Sequence, residues 1–195
     1  KVCVKQLYTR MTPGGPIRRL EHTEETKKMC LEALCHIWSR TLLDLAYSEI
    51  ETRSPTSGET ANVIPRLRFV EAAIAVVHSP SSVARKVLLI EELIDVGAGE
   101  FTKYINNALA RPIEGLDADS HRLAEFLCCV QHIQYEATQG LVYLSDFQGG
   151  NHLLTDSQVI TSPALPMDIF SSGNVGFEQF VHQHICNQFC KAYGL

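Results

Sequence analysis

The strongest constraint on the fold of this chain is a group of metal-ligating side chains near its C-terminus. The final run, 182-HQHICNQFCKAYGL-195, carries His184, Cys186 and Cys190, and His132 lies upstream near the end of a predicted helix. If the run is helical, Cys186 and Cys190 are four positions apart and share a face. Two thiolates and two imidazoles form the closed tetrahedral shell of a structural zinc site. We therefore predict that zinc ties the C-terminal segment to the helix that carries His132.

Three polar segments lie between the upstream histidine and the C-terminal cluster. They are 145-SDFQGG-150, 155-TDSQ-158 and 171-SSGNVG-176. Together they indicate groups that handle a nucleoside triphosphate and magnesium. Each segment by itself is also compatible with a polar turn between strands, so the residues alone leave both interpretations open.

Length and charge limit the classes of function. At 195 residues the chain is long enough for one domain or for two small lobes that share a cleft. The net charge is −5 and the basic residues are scattered, which argues against a nucleic-acid partner. No apolar run reaches the roughly 18 residues that a membrane-spanning helix needs, so we expect no membrane insertion.

Cysteine usage and the first residues suggest the setting of the chain. Seven cysteines are an odd number and a small share of the sequence, which favours a reducing compartment over a disulfide framework. We therefore expect an intracellular, cytoplasmic protein. Cys30, Cys35, Cys128 and Cys129 fall in amphipathic stretches and are predicted to be core residues. The opening KVCVKQLY has neither an initiating Met nor an apolar signal core, so we expect a piece of a longer protein.

Hydrophobic periodicity predicts strands and a long helix in the first half. The opening VCVKQL alternates as a half-buried strand does, and residues 20–50 follow the helical period. A polar loop over 52–62 precedes two apolar runs, 67–77 and 86–93. A Ser/Pro turn separates these runs, which predicts an antiparallel pair.

The second half is predicted to mix helices and strands. A Gly-bearing polar stretch, 97–107, can cross from one lobe to the other. Asp119 or Ser120 can cap the helix of the upstream histidine. A strand over 141–147 and a terminal helix from about Phe177 complete an α+β, two-lobed prediction.

Six motifs follow one another in a specific order along the chain. They are a lysine on an early strand, a glutamate at the crossing between lobes, DFQG after a strand, TD a short step later, GNVG, and a terminal HxCxxxC. In this order they resemble the alpha-kinases, an atypical protein kinase family that includes the myosin heavy chain kinases, the elongation factor 2 kinase and kinase domains fused to certain ion channels. The resemblance is close from His132 to Leu195 and loose before Phe101. It implies one alpha-kinase domain with an N-lobe (1–95) whose first strands are missing and a zinc-stapled C-lobe (96–195).

The resemblance assigns nucleotide contacts in the first lobe. Lys5 resembles the strand lysine that contacts the α- and β-phosphates, where a fixed ammonium neutralises charge. Glu32 on the long helix is the implied partner of Lys5, with Glu25 as the alternative. Glu92 resembles the hinge acid that meets the amino edge of adenine, and Ile94 falls where an apolar residue lines that pocket.

The resemblance also assigns the chemical groups of the second lobe. Asp146 matches the aspartate that orients the substrate hydroxyl and takes its proton, a task that suits a positioned carboxylate. Gln148 and Asp156 match the residues that bind magnesium and the phosphates. Lys103 and Asn107 match a basic residue and an asparagine near the nucleotide.

A glycine loop and the zinc ligands complete the comparison. Gly173 and Gly176 belong to a segment that resembles the family's loop at the nucleotide or substrate, in which Ser171 replaces the first glycine. The predicted zinc ligands match the family's isolated histidine and its terminal HxCxxxC.

The resemblance therefore implies a serine/threonine protein kinase that uses ATP, Mg²⁺ and structural Zn²⁺ and acts on a protein substrate. The alternative is a catalytically inactive alpha-kinase-like scaffold that keeps the zinc-stapled fold and binds a partner, which Ser171 favours. The joint presence of Lys5, Asp146, Gln148 and Asp156 favours the enzyme, because a scaffold has no need of all four. A zinc-containing nucleic-acid module is disfavoured by the net negative charge.

Overall fold

The computed structural model describes residues 1–10, 12–53, 64–77, 85–95, 97, 101–107, 109–150, 152–165 and 177–195. Its strands are β1 (Val2–Lys5), β2 (Tyr8–Arg10), β3 (Ile17–Arg19), β4 (Arg68–Phe69), β5 (Ala72–Val77), β6 (Lys86–Glu92), β7 (Thr102–Lys103), β8 (Val142–Ser145), β9 (Gln148–Gly150), β10 (Leu153–Thr155) and β11 (Gln158–Thr161). Its helices are α1 (His22–Thr52), α2 (Ala118–Ala137), α3 (Gln179–Gln183) and α4 (Gln188–Ala192). This mixture confirms the predicted α+β class. Within the described ranges, no helix combines the length and the apolar character that a membrane span requires.

A three-stranded antiparallel sheet, in the order β1-β6-β5, forms the first part of the fold. The pairing of β5 with β6 confirms the antiparallel pair expected from the two apolar runs. Along β6, Val87, Leu89 and Glu91 are buried in alternation. Val87 and Leu89 pack with Met29 of α1. The alternation therefore places one acidic side chain, Glu91, on the same face as two core residues.

Helix α1 is the long helix that the sequence predicted over 20–50. Near its start it packs against the first sheet, and near its end Leu42, Leu43 and Ala46 join the main core with residues of α2. The prediction that Cys30 is a core residue is wrong, because its position on α1 is exposed. One helix thus contacts both halves of the structure.

A second sheet, in the order β4-β10-β9-β7, contains a hairpin of β9 and β10. Strand β4 lies parallel to β10, and β7 lies antiparallel to β9. Strands β8 and β11 form a separate antiparallel pair. A strand from the first part of the chain thus belongs to a sheet formed by the second part, and the division into lobes at 1–95 and 96–195 stays a prediction.

Helix α2 begins two residues earlier than the sequence indicated. Its N-cap is Asp117, whose side chain accepts hydrogen bonds from the backbone N–H groups of Asp119 and Ser120. The prediction of Asp119 or Ser120 as the cap is therefore wrong, since a capping side chain must precede the N–H groups that it satisfies. Cys128 and Cys129 of this helix are buried, as predicted.

The C-terminal segment forms two short helices instead of the single helix predicted from about Phe177. Helix α3 ends at His184, whose backbone is extended, and Asn187 begins α4. The Asn187 side chain caps α4 by accepting hydrogen bonds from its first backbone N–H groups. Cys186 therefore lies in the link between the helices and does not share a helical face with Cys190.

Glu25, at the start of α1, is a buried charged residue that joins three elements. Its Oε2 lies 2.5 Å from Nη2 of Arg19 in β3 and accepts a hydrogen bond of 3.0 Å from the backbone N–H of Val87 in β6. The hydrogen bond from Arg19 lowers the pKa of Glu25 to about 2, against the opposing effect of burial. The carboxylate stays charged and fastens β3 and β6 to α1.

Replacing Glu25 with Gln should destabilise the fold, because Arg19 would lose its charged partner. Removing one member of a buried pair costs about 3–5 kcal/mol, and the partial exposure of Arg19 lowers the expected loss to about 2 kcal/mol. The folded-state pKa lies below the unfolded one, so this contribution is present above about pH 5 and is lost as the pH falls toward about 2. Urea denaturation at several pH values should show the difference in unfolding free energy between wild type and Glu25→Gln shrinking over that range.

The matched control for this experiment is Glu24→Gln. Glu24 pairs with Lys28 at 3.1 Å on the exposed side of the same helix. Its loss should change the unfolding free energy by less than about 0.5 kcal/mol. Equal effects of the two variants would contradict the role given to Glu25.

Gly149 allows the closest backbone approach in the β9–β10 hairpin. A Cβ atom at this position would lie 1.9 Å from the carbonyl oxygen of Leu153. Gly149→Ala should therefore cost about 3 kcal/mol of unfolding free energy, since neither backbone can give way. At Gly115, where φ is +83° and a Cβ would meet nothing within 4 Å, alanine should cost only about 1 kcal/mol of backbone strain. Thermal denaturation of both variants tests this, and equal losses would show that strain alone decides.

Candidate functional site

The β9–β10 hairpin places two aspartates at its open end. Asp146 lies two residues before β9 begins, and Asp156 follows the last residue of β10. Both have left-handed backbones, with φ of 62° and 52°. Aspartate enters this region more readily than most residues, and a left-handed residue interrupts a strand. Both carboxylates therefore lie where the hairpin leaves the sheet.

The ammonium of Lys5 lies between two carboxylates. Its Nζ is 2.8 Å from Oε2 of Glu91 and in direct contact with Oδ1 of Asp156. Thr155 Oγ1 donates a hydrogen bond of 3.2 Å to the same oxygen of Glu91. Burial would lower the pKa of Lys5, but its hydrogen bonds to Asp156 and Glu91 raise the pKa above its usual value. A charged lysine thus connects β1, β6 and the hairpin.

The glutamate that pairs with Lys5 is Glu91, and the predicted pair with Glu32 does not form. Within the described residues, the ion pairs of Lys5 are with Glu91 and Asp156. The register of β1 against β6 sets Cys3 opposite Glu91, so Lys5 is the diagonal neighbour of Glu91 on the same face. Glu25, the alternative partner, is taken by Arg19.

Glu32 lies close to this group without joining it. It lines a small cavity of about 20 Å³, room for one water, together with His36, Glu91 and Asp156. Burial and the nearby charge of Asp156 raise the pKa of Glu32. A role for Glu32 at the nucleotide stays a prediction.

Asp146 is held by a lysine and an asparagine. Nζ of Lys103 lies 2.5 Å from Oδ1 of Asp146 and 3.4 Å from its backbone oxygen. The hydrogen-bond network assigns the orientation of the Asn107 amide: its nitrogen then donates to the Asp146 carboxylate, and its oxygen accepts a hydrogen bond of 3.1 Å from Gln158. The structure therefore brings together Lys103, Asn107 and Asp146, and it adds Gln158, which fixes the orientation of the Asn107 amide.

A pocket of about 250 Å³ opens beside Lys5. Aliphatic and aromatic side chains form one part of its wall, and an ammonium and carboxylates form the other. Its lining residues are Cys3, Lys5, Val70, Glu91, Glu92, Leu93, Ile94, Phe101, Thr155 and Asp156. A small, largely apolar pocket with a few converging polar groups is typical of a small-molecule site. The apolar wall suits a flat heterocycle, and the lysine suits phosphate oxygens.

The carboxylate of Glu92 is engaged outside the predicted adenine contact. Nη1 and Nη2 of Arg68 donate hydrogen bonds of 2.6 and 2.9 Å to the two carboxylate oxygens of Glu92. The backbone N–H of Glu71 donates a third hydrogen bond, of 3.2 Å, to the same carboxylate. The hydrogen bond from Arg68 lowers the pKa of Glu92 to about 2. The predicted meeting of Glu92 with an amino group would therefore use its backbone or require that Arg68 moves.

Gln148 begins β9 at the open end of the hairpin, opposite the residue that precedes Asp156. It pairs with Thr155 across the hairpin and with Lys103 of β7. Gln148 is half-buried and lies two residues after Asp146 in the chain. Gly173 and Gly176 lie outside the described residues.

Sequence reasoning missed Glu91, because it sought the partner of Lys5 on the long helix and took the neighbouring Glu92 as the hinge acid. The signal was present in the alternation of β6, since Glu91 shares the phase of Val87 and Leu89. An acidic side chain on the buried phase of a strand needs a charged partner. This rule predicts an ion pair between Glu91 and a lysine or arginine on a neighbouring strand, and Lys5 meets that requirement.

The four predicted metal ligands meet between α2 and the C-terminal helices. Their ligand atoms, from His132, His184, Cys186 and Cys190, all lie within 4.8 Å of one another. Sγ of Cys186 is 3.7 Å from Nδ1 of His132, and Sγ of Cys190 is 3.6 Å from Nε2 of His184. Nitrogen and sulfur ligands at about 2.0 and 2.3 Å from a tetrahedral ion lie about 3.5 Å apart. The donor set and its spacing therefore fit a closed zinc shell.

The environment of Cys190 favours the metal-binding form of its thiol. Cys190 is fully buried. The hydrogen bond from Cys129, helped by those from His132 and His184, lowers the pKa of Cys190 against the opposing effect of burial. Burial raises the pKa of Cys186. Thiolates are the ligands of zinc, so Cys190 is prepared for the metal and Cys186 would lose its proton on binding.

Comparison with known sequences points to one family. The model of the alpha-kinase family matches residues 20–190. The chain is 28% identical to alpha-protein kinase 2 of Danio rerio over 195 residues, which are 99% of this chain and 9% of that protein. It is 31% identical to alpha-protein kinase 2 of Mus musculus over 139 residues, 71% of this chain and 6% of that protein. The chain thus spans less than a tenth of the length of these curated relatives.

Comparison with solved structures points to the same fold. The alpha-kinase domain of myosin heavy chain kinase A in complex with AMP has a TM-score of 0.62 and 19% identity, covering 91% of this chain and 63% of that one. Its complex with ADP has a TM-score of 0.58 and 19% identity, covering 86% and 58%. The arrangement of sheets and helices described above is therefore that of an alpha-kinase domain.

Proposed function

The chain belongs to the alpha-kinase family, and we propose that it is an ATP-dependent serine/threonine protein kinase domain. It would transfer the γ-phosphoryl group of ATP to a hydroxyl of a protein substrate. The observation that carries the proposal is the β9–β10 hairpin, which holds Asp146 and Asp156 at its open end, each paired with its own lysine. Phosphoryl transfer needs mainly positioning and charge stabilisation, and this arrangement supplies both.

Two related structures support a role of these two aspartates in kinase activity. They are inactive variants of myosin heavy chain kinase A, each with one aspartate replaced by alanine, in complex with ATP. The two substituted aspartates lie ten residues apart in that kinase. Asp146 and Asp156 have the same separation in this chain.

Asp146 is proposed as the group that orients the acceptor hydroxyl and takes its proton. Lys103 and Asn107 restrict the carboxylate from two sides. Asp146 is 8% exposed, so it is fixed by its neighbours and still reachable from outside. A carboxylate held in one orientation is suited to general-base work.

Gln148 and Asp156 are proposed to hold Mg²⁺. An amide and a carboxylate oxygen leave room for the waters and phosphate oxygens that this ion keeps in its shell. Mg²⁺ would supply neutralisation of the charge on the transferred group. Lys5 would bind the phosphates, and Glu91 would hold its ammonium at the pocket. The adenine would occupy the apolar wall near Ile94 and Phe101.

Zn²⁺ is proposed as a structural ion that joins the C-terminal helices to α2. Its ligands would be His132, His184, Cys186 and Cys190, which leaves no open coordination position. Gly173 and Gly176 stay predicted contacts of the substrate or nucleotide. The division into lobes and the cytoplasmic setting are also part of the proposal.

An Asp146→Ala variant should lose phosphoryl transfer while keeping its fold. Loss of a positioned general base costs about 100-fold or more in rate. Transfer of labelled phosphate from ATP to a basic substrate protein, with and without Mg²⁺, measures the effect. Asp44→Ala, at an exposed position of α1, is the matched control and should leave the rate unchanged. Magnesium-independent labelling, or equal activity of wild type and Asp146→Ala, would contradict the assignment, and a folded, inactive wild type would favour the scaffold.

Zinc should be present at about one ion per chain, and its removal should destabilise the protein. Four-ligand zinc sites contribute directly to folding because the ion holds together segments that are apart in the unfolded chain. Metal analysis gives the stoichiometry, and thermal denaturation with and without a chelator gives the stability. Cys190→Ala should bind no zinc, and the chelator should not change its denaturation temperature. The matched control is Cys30→Ala, because Cys30 is exposed on α1. This variant should keep its zinc and should still be destabilised by the chelator.

A further inference from the structure

The two histidines of the proposed zinc site differ in what their second ring nitrogen meets. Nδ1 of His132 faces Cys186, and its Nε2 lies 3.6 Å from Oε1 of Glu136, one turn later on α2. Nε2 of His184 faces Cys190, and its Nδ1 is buried without a hydrogen-bond partner among the described residues. Of the two rings, His132 thus carries an acidic neighbour on the side away from the metal.

Glu136 is itself held from the end of α1. Nη2 of Arg53 lies 3.4 Å from Oε2 of Glu136 and 3.6 Å from Oε2 of Glu49. Arg53 is the C-cap residue of α1, and its backbone N–H donates to the carbonyl of Glu49 at 3.1 Å. The guanidinium is therefore anchored on α1 and reaches across to α2. The other carboxylate oxygen of Glu136 remains directed at His132.

We propose that Glu136 positions His132 for zinc, and that Arg53 positions Glu136. In this structure Oε1 of Glu136 lies at ion-pair distance from Nε2 of His132, just beyond a hydrogen bond. In the zinc-bound protein the carboxylate would accept Nε2–H, which fixes the ring and the tautomer that leaves Nδ1 free for the ion and makes that nitrogen a better donor. The end of α1 thereby becomes part of the support of the zinc site. This inference rests on the proposed zinc site and is independent of kinase activity.

The alternative for these residues is an ordinary surface ion pair. The Glu136 side chain is 45% exposed, so a simple pair would contribute little to stability and nothing specific to metal binding. A positioning carboxylate instead changes zinc affinity, by about 10- to 100-fold when such a group is removed. Zinc affinity and the stability of the zinc-free protein therefore separate the two roles.

The test measures the zinc dissociation constant by competition with a chromogenic chelator, at one fixed pH. Glu136→Ala should weaken zinc binding by about 10- to 100-fold, and Glu136→Gln, which keeps an acceptor oxygen, should weaken it less. Arg53→Met should weaken binding by about 3- to 10-fold in the wild type and have no further effect in Glu136→Ala. Glu24→Ala is the matched control, since it breaks an exposed ion pair with Lys28 far along α1 and should leave zinc affinity unchanged.

Thermal denaturation of the same variants gives the second measurement. Glu136→Ala should lower the Tm of the zinc-loaded protein and leave that of the zinc-free protein unchanged. Unchanged zinc affinity, or an equal fall in Tm with and without zinc, would overturn the proposal in favour of a surface pair. A wild-type protein that binds no zinc would overturn the zinc site itself and this inference with it. None of these measurements depends on phosphoryl transfer. The kinase assignment is tested only by the transfer assay, so its failure would leave the zinc measurements unaffected.

Discussion

The ion group of Lys5, Glu91 and Asp156 is the interaction on which the geometry of the candidate site depends. Each charge comes from a different element: β1, β6 and the residue after β10. Glu91 is the buried member, with a side chain only 6% exposed, so it needs a charged partner, and Lys5 of β1 supplies it. Asp156, which is more exposed, joins the hairpin to the same lysine. Thr155 strengthens this constraint by donating to Glu91 from the last residue of β10. The hairpin is thereby aligned with the first sheet, and the pocket lies along their junction.

The sequence predicted the elements better than it predicted their partners. The helical period over 20–50, the antiparallel runs and the strand before DFQG all carry local signals, and the structure contains each of them, while the hairpin of β9 and β10 was not predicted. Partner choice depends on sheet register, and a shift of one residue along a strand moves a side chain to the other face. Glu91 and Glu92 show this directly, since one meets Lys5 inside and the other meets Arg68 outside. The pairing with Glu32, which the resemblance implied, was wrong because the partner of Lys5 lies on the neighbouring strand β6 and not on α1.

The C-terminal segment shows what a motif can and cannot determine. The ligand identities alone indicated a zinc site, and the structure brings all four side chains together. The single predicted helix was wrong, because Asn187 caps a new helix and leaves Cys186 in the link before it. Two ligands one turn apart on a helix can also bind one ion, so the ligand spacing by itself does not decide between one helix and two. In this chain the break between α3 and α4 brings Cys186 to the cluster from the link, although the spacing of the cysteines by four suggested continuity.

The two aspartates of the hairpin can serve different tasks because their lysines differ in what else they reach. Lys103 contacts both the carboxylate and the backbone oxygen of Asp146, and it is not among the residues that line the pocket beside Lys5. Lys5 also lines the pocket, where phosphate oxygens would compete with Asp156 for its ammonium. In the proposed function Gln148 and Asp156 would hold Mg²⁺, which would supply positive charge at the phosphates, and Lys5 would contact phosphate oxygens in place of Asp156. Under the same proposal Asp146 would keep Lys103 as its cation, so one carboxylate would serve the metal and the other the proton of the acceptor.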